Sequence, residues 1–187
     1  MMDLLRHGDT GQTGFRGRLD DPLTPLGWRQ MEAAASAGGP WAAVVSSPLR
    51  RCADFAADRA RRLGLPFAAD ARLAELDFGR WEGATAAGLM ESEPEALTRF
   101  WRDPWSNPPP GGEEPLAFEA RVLAARRDLE QVHGDQPLLV VTHGGVIRVL
   151  LGAARSLPRA QWLAIEVPHA SMHRLGSVSS SAPCPSS

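Results

Sequence analysis

Met2-Asp3-Leu4-Leu5-Arg6-His7-Gly8-Asp9-Thr10 begins as a short apolar run and stops abruptly in charged and small residues. An extended run of this kind reads as a buried strand that delivers polar groups to the end of a sheet. Gly8 lets the backbone approach a ligand closely, and Arg6 carries a fork of donors suited to phosphate oxygens. His7 is the side chain here that is neutral and nucleophilic near neutral pH. Alone the triplet is weak, because a histidine at a strand end is more often structural than nucleophilic.

The pattern recurs. Trp41-Ala42-Ala43-Val44-Val45 runs into Ser46-Ser47-Pro48-Leu49-Arg50-Arg51, and Leu138-Leu139-Val140-Val141 runs into Thr142-His143-Gly144-Gly145. The second of these is the continuous apolar type expected of a strand covered on both faces. Between the runs the spacing predicts helices: Leu26–Ala37 with Thr24 as N-cap and Pro25 at the first position, Arg50–Leu63 closed by Gly64, Leu116–His133, and Val146–Ala154. In the second helix Ala53, Ala56, Ala57 and Ala60 would lie close on a sheet, with Arg59, Arg61 and Arg62 facing water. In the third, Phe118, Val122, Leu123, Leu129 and Val132 fall near one face. Phe67-Ala68-Ala69 is a short candidate strand, and Trp162–Val167 and Ala170–Leu175 are expected to close the sheet.

Strands alternating with helices imply α/β architecture: three layers, α/β/α, around a mainly parallel sheet. Ligands of such sheets sit beyond the carboxyl ends of the strands, so His7, His143 and the Arg50-Arg51 region should meet in one pocket. Histidines and arginines together suit an anion, most simply a phosphate, and Gly144-Gly145 at a helix start adds backbone donors. A metal is the rival for paired histidines. No ligand-like spacing supports it, and arginines beside the histidines would repel a cation, so neither metal nor other cofactor is expected.

The remaining stretches carry less pattern. Arg72–Gly83 lacks a clean period and reads as a loop, and a helical region from Ala86 to Trp101 breaks near Pro94. Asp103–Gly112, rich in proline and bearing Trp105, is either a linker or part of a lid. Residues 84–115 are thus expected as a small helical or lid insertion in a single domain, 1–175, and 176–187 as a disordered Ser/Pro-rich tail. The 187 residues have 43% hydrophobic content and a formal net charge of −2, which offers no basic footprint for nucleic acid. No apolar run suits a membrane helix, no export leader is seen, and Cys52 and Cys184 do not form a disulfide framework. A cytoplasmic protein is the expectation.

These residues resemble the histidine phosphatase superfamily, the phosphoglycerate-mutase-like fold. The motifs that carry the resemblance are Arg6–Thr10, with Asp9 where Glu or Gln is commoner, Pro22–Gly27, Ser47–Cys52, Glu75–Gly83 and Thr142–Gly145, in family order. The resemblance implies that His7 is a nucleophile that becomes phosphohistidine. It implies that Arg6, Arg51 and His143 bind the phosphoryl oxygens, and that Glu75 is the general acid, with Asp77 and Glu82 as competitors separated from it only by motif position. Substrate contacts are expected from Arg6, Arg16, Arg51, His143, Gly144 and Thr13, the last standing where many members have Asn. Within the superfamily, Phe15-Arg16-Gly17, Gly38–Trp41, Trp101–Pro104, Pro108–Glu113 and Glu166–Ser171 resemble α-ribazole phosphatases of cobalamin biosynthesis. That implies a small-molecule phosphate ester as partner, α-ribazole 5′-phosphate or adenosylcobalamin 5′-phosphate, with no nucleic acid, no membrane, and a homodimer left open. A broad-specificity sugar-phosphate phosphatase, a phosphoglycerate mutase and a non-catalytic phospho-ligand-binding protein are the alternatives.

Overall fold

A computed structural model of the chain describes residues 1–176. The expected tail lies outside the described residues from 177 onward. A five-stranded sheet forms the centre: β1 (Met2–Arg6), β2 (Ala43–Ser46), β3 (Phe67–Ala69), β4 (Leu138–Thr142) and β5 (Met172–Leu175), in the order β3-β2-β4-β1-β5. The first four are parallel to one another, and β5 runs antiparallel beside β1 at one edge.

The alternation of side chains along β1 and β4 explains why Leu4-Leu5 and Leu138–Val141 are apolar on both faces, with Asp3 the buried exception, accepting from Trp41 Nε1 and Arg174 Nε at 2.9 Å. Leu4, Leu138 and Val140 face one layer, where they pack with Phe118, Val122 and Ala125 of α5 (Pro115–His133) and with Val146, Ile147 and Leu150 of α6 (Gly144–Ala154). Leu5, Leu139 and Val141 face the other, against Met31 and Ala35 of α1 (Pro25–Ser36) and Phe55, Ala56 and Ala60 of α2 (Arg50–Leu63). A strand buried on both faces has few polar positions to spare. Thr24 caps α1 through a 3.0 Å bond from the Gly27 amide, and Gly64 ends α2 in the left-handed conformation at φ 66°.

From Ala71 the chain forms two short 3-10 helices, Ala71–Leu73 and Gly79–Trp81, then α3 (Ala86–Ser92) and α4 (Pro94–Arg102), separated at Pro94 as the sequence requires. Trp81, Leu89, Leu97 and Phe100 make a small apolar cluster of their own, and Phe78 packs against both this cluster and the main core. This unit packs against Phe15, from the loop that follows β1, and against Phe78.

Three expectations need correction. Trp162–Val167 is not a strand: Arg159–Ala164 is a 3-10 helix. The Trp162 indole fills the space above Gly152, where a Cβ would meet it at 2.5 Å, and its Nε1 donates to Leu157 O at 2.9 Å. Packing onto α6 thus outweighs an apolar composition that also suits a strand. Val132 lies off the buried face of α5 at 75% exposure. Arg59 lies over the Trp41 ring instead of facing water, and its Nη2 donates to Ala35 O.

Candidate active site

Strand register brings the polar ends together. Arg6 of β1 pairs with Thr142 of β4, and Ser46 of β2 pairs with Val141, so the three strands finish at one level. Beyond that level the His7 amide donates to Thr142 O and the Ser47 amide to Val141 O, both at 3.0 Å. His7, Ser47 and His143 therefore leave the sheet side by side. The loop carrying His7 is pressed against the start of α1: a Cβ on Gly8 would stand 2.3 Å from Gly27 O, and one on Gly27 2.1 Å from Asp9 O. Both glycines are needed for that approach.

His7 is buried, with its Nδ1 2.8 Å from Gly8 O. A carbonyl only accepts, so Nδ1 carries the proton and Nε2 keeps a free lone pair. Burial pulls the imidazole pKa down to about 3, with Arg51, Arg6 and His169 adding to the effect and the bond to Gly8 opposing it. The ring is neutral near pH 7.

His143 is fully buried, and both its ring nitrogens are engaged. Arg51 Nε donates to Nδ1 at 3.2 Å, which leaves the proton on Nε2 to reach Ser47 Oγ at 2.7 Å. Its ring lies edge-on to His7, centroids 5.3 Å apart, and burial holds its pKa well below the ordinary value. Arg51 spends three of its four other N–H groups on the loop opposite, one from Nη1 on Leu19 O and two from Nη2 on Arg16 O and Gly17 O, at 2.6 to 3.0 Å, which leaves one Nη1 N–H for a ligand. Arg6 Nη1 donates to Val167 O at 2.6 Å, while its Nε is buried without a partner among the described residues.

The three carboxylates of the Glu75–Gly83 stretch divide by geometry. Glu82 accepts four backbone amides, from Gly17, Arg18, Leu19 and Phe78, at 2.8 to 3.2 Å. Asp77 Oδ1 accepts the Gly79 amide at 2.8 Å. Glu75 alone of the three lines the cavity that holds His7, with Oε2 on the Gly145 amide at 3.0 Å in the first turn of α6.

That cavity measures about 190 Å³, and Arg6, His7, Arg16, Arg51, Glu75 and His169 are on its wall. Arg16 is held there by a two-point pair with Asp21. Thr13 is exposed and absent from the wall, and Gly144 backs onto Arg6, where a Cβ would come 3.5 Å from Nε. His169 stands over His7 with ring centroids 5.4 Å apart. The next residue, Ala170, adopts φ 54° and donates its amide to His7 O at 3.1 Å, fixing the turn. Ser47 was legible as a strand-end residue, but nothing in the sequence pairs it with His143. Among the described residues no cluster of His, Cys, Asp and Glu suited to a metal is present, and no helix is long and apolar enough to cross a membrane.

A neutral imidazole with a free nitrogen, three guanidinium groups and a carboxylate around one small cavity can bind a phosphoryl group and attack it. A bifunctional protein of Mycobacterium tuberculosis is 42% identical over 160 residues, covering 81% of this chain but 43% of the relative, so the chain spans less than half of that protein. The solved mycobacterial glucosyl-3-phosphoglycerate phosphatase in complex with VO3 superposes with a TM-score of 0.82 at 34% identity, covering 91% of this chain and 90% of that one. A solved Escherichia coli protein described as a candidate α-ribazole-5′-P phosphatase gives a TM-score of 0.78 at 27% identity, covering 91% and 87%. The family described as the histidine phosphatase superfamily (branch 1) matches residues 2–181. The chain belongs to the histidine phosphatase superfamily.

Proposed function

We propose that the domain hydrolyses phosphate monoesters through a phosphohistidine at His7. The observation that carries this reading is the free Nε2 of a buried, neutral His7 in the cavity that Arg6, Arg51 and Glu75 also line. Nε2 attacks phosphorus while Arg6 and Arg51 hold the non-bridging oxygens and neutralise their growing charge. The unpartnered Nε of Arg6 is a donor available to that anion. Glu75, bearing a proton, gives it to the bridging oxygen as the P–O bond breaks. Glu75, now a carboxylate, takes a proton from water, and the hydroxide displaces His7 from phosphorus to release inorganic phosphate. His143 acts from behind, bonding Arg51 Nε and Ser47 Oγ and so holding the guanidinium in place.

Within this chemistry the substrate we propose is α-ribazole 5′-phosphate or adenosylcobalamin 5′-phosphate. The Trp101–Pro104, Pro108–Glu113 and Glu166–Ser171 motifs and the likeness to the Escherichia coli protein support it. A glucosyl-3-phosphoglycerate is the second reading, favoured by the higher identity, 34%, to the mycobacterial enzyme.

Phosphate release in EDTA tests the reaction. His7→Ala is expected to abolish turnover with an unchanged circular dichroism spectrum, and a ³²P-labelled ester should leave an acid-labile, alkali-stable label on the wild type and none on the variant. Turnover retained by His7→Ala removes the mechanism. The relative kcat/KM of α-ribazole 5′-phosphate and glucosyl-3-phosphoglycerate decides between the two substrates.

A further inference from the structure

Beside the phosphate-sized cavity lies a larger one of about 350 Å³, within the size range of small-molecule sites. The two share Phe15, Glu75 and Phe78. Much of the larger wall is aromatic, built by Phe15, Phe78, Phe100, Trp105, Phe118 and Trp162. Trp105 stands edge-on to Trp162, ring centroids 5.6 Å apart, and its Nε1 has no partner among the described residues, so shape and not a hydrogen bond holds it. The charged side chains on this wall are Glu75 and Arg148, and Arg148 spends its Nε on Ile165 O at 3.0 Å.

The place of Glu75 gives the cavity a direction. A general acid must touch the bridging oxygen, and in an in-line displacement that oxygen lies on the far side of phosphorus from His7. Whatever is attached to the oxygen extends past Glu75, and the space past Glu75 is the aromatic cavity. Sugar hydroxyls placed there would exchange water for ring carbon with few donors or acceptors in return, which disfavours them. A flat apolar group would bury its faces against rings at no such cost.

We infer that the aromatic cavity receives the alcohol portion of the ester, and that this chain selects phosphate esters whose alcohol carries a flat, mainly apolar ring over glycosyl and glycerate esters. The inference rests on the phosphomonoesterase reading, and it separates this chain from the glucosyl-3-phosphoglycerate phosphatases it resembles in fold.

The test uses esters of primary alcohols, so that leaving-group chemistry is matched: 2-(2-naphthyl)ethyl phosphate against glucose 6-phosphate and glycerol 3-phosphate. The naphthyl ester is expected to have a kcat/KM roughly tenfold or more above the other two. Trp105→Ala, and Leu163→Asp at a wall residue that is 43% exposed and tolerant of a charge, should each raise KM for the naphthyl ester about tenfold more than for glycerol 3-phosphate. Equal or better use of glucose 6-phosphate, or equal losses across the esters, overturns the inference. If no ester is turned over, the phosphatase reading has failed, and calorimetry with the naphthylethyl phosphonate against 2-hydroxyethyl phosphonate still decides. Tighter naphthyl binding that weakens in both variants keeps the cavity assignment, and equal binding removes it.

Discussion

Gly145 sits in the first turn of α6, where its amide donates to Glu75 Oε2 and its lack of a side chain leaves room for Oε1. A Cβ there would stand 2.3 Å from Oε1, so Gly145→Ala forces the carboxylate out of its seat. Alanine is the better helix former, and the fold should not suffer. The expected result is a kcat lower by roughly 10² or more with Tm near that of the wild type. An unchanged kcat would show that this position of Glu75 has no part in the chemistry. At this scale the residues alone were ambiguous: Glu75, Asp77 and Glu82 are equivalent carboxylates in an aperiodic loop, set apart only by motif position until their partners in space are seen.

The loop of residues 11–24 between β1 and α1 is shaped by groups it does not contain. Glu82 accepts the amides of Gly17, Arg18 and Leu19, while Arg51 donates to the carbonyls of Arg16, Gly17 and Leu19. The backbone there has no helix or sheet to satisfy it, so a carboxylate and a guanidinium take that part. Glu82→Gln replaces an acceptor-only group by an amide that turns donors toward donors. Stability should fall by about 1–3 kcal/mol in urea titration. KM for a phosphate ester should rise as well, because Arg16 and the Arg51 contacts ride on this loop; an unchanged KM at reduced stability would confine Glu82 to folding. The helices and central strands were legible because their period and end signals are local. Trp162–Val167 was misread because its anchor, Gly152, is a tertiary contact.

Across the whole molecule, the buried neutral histidines make the fold sensitive to acid. The unfolded chain protonates His7 near the ordinary histidine value of about 6.5, whereas the folded protein resists until about 3. Between these values the unfolded state binds the extra proton, so stability is full above the upper value and drops as pH falls. For His7 the slope is about 1.4 kcal/mol per pH unit, and His143, also held low by burial, acts in the same direction. Urea midpoints at about pH 7 and about pH 5 are expected to differ in the wild type, and to differ less in His7→Gln. Equal pH dependence in the two proteins would mean that His7 is not protonated on unfolding in this window.

By itself the sequence determined the α/β class, the order of most elements, and the convergence of His7, His143 and the Arg50-Arg51 region, because two-faced burial and strand-end chemistry are written in consecutive residues. Tertiary structure showed that Glu75, which motif position favoured, lines the cavity with His7 while Glu82 turns to loop amides, and it alone decided that Thr13 and Gly144 stay off the cavity wall and that His143 turns both ring nitrogens to Ser47 and Arg51. It alone assembled the aromatic cavity from residues between Phe15 and Trp162. Such choices depend on which partner each polar group finds once the chain has closed, and no local period records that.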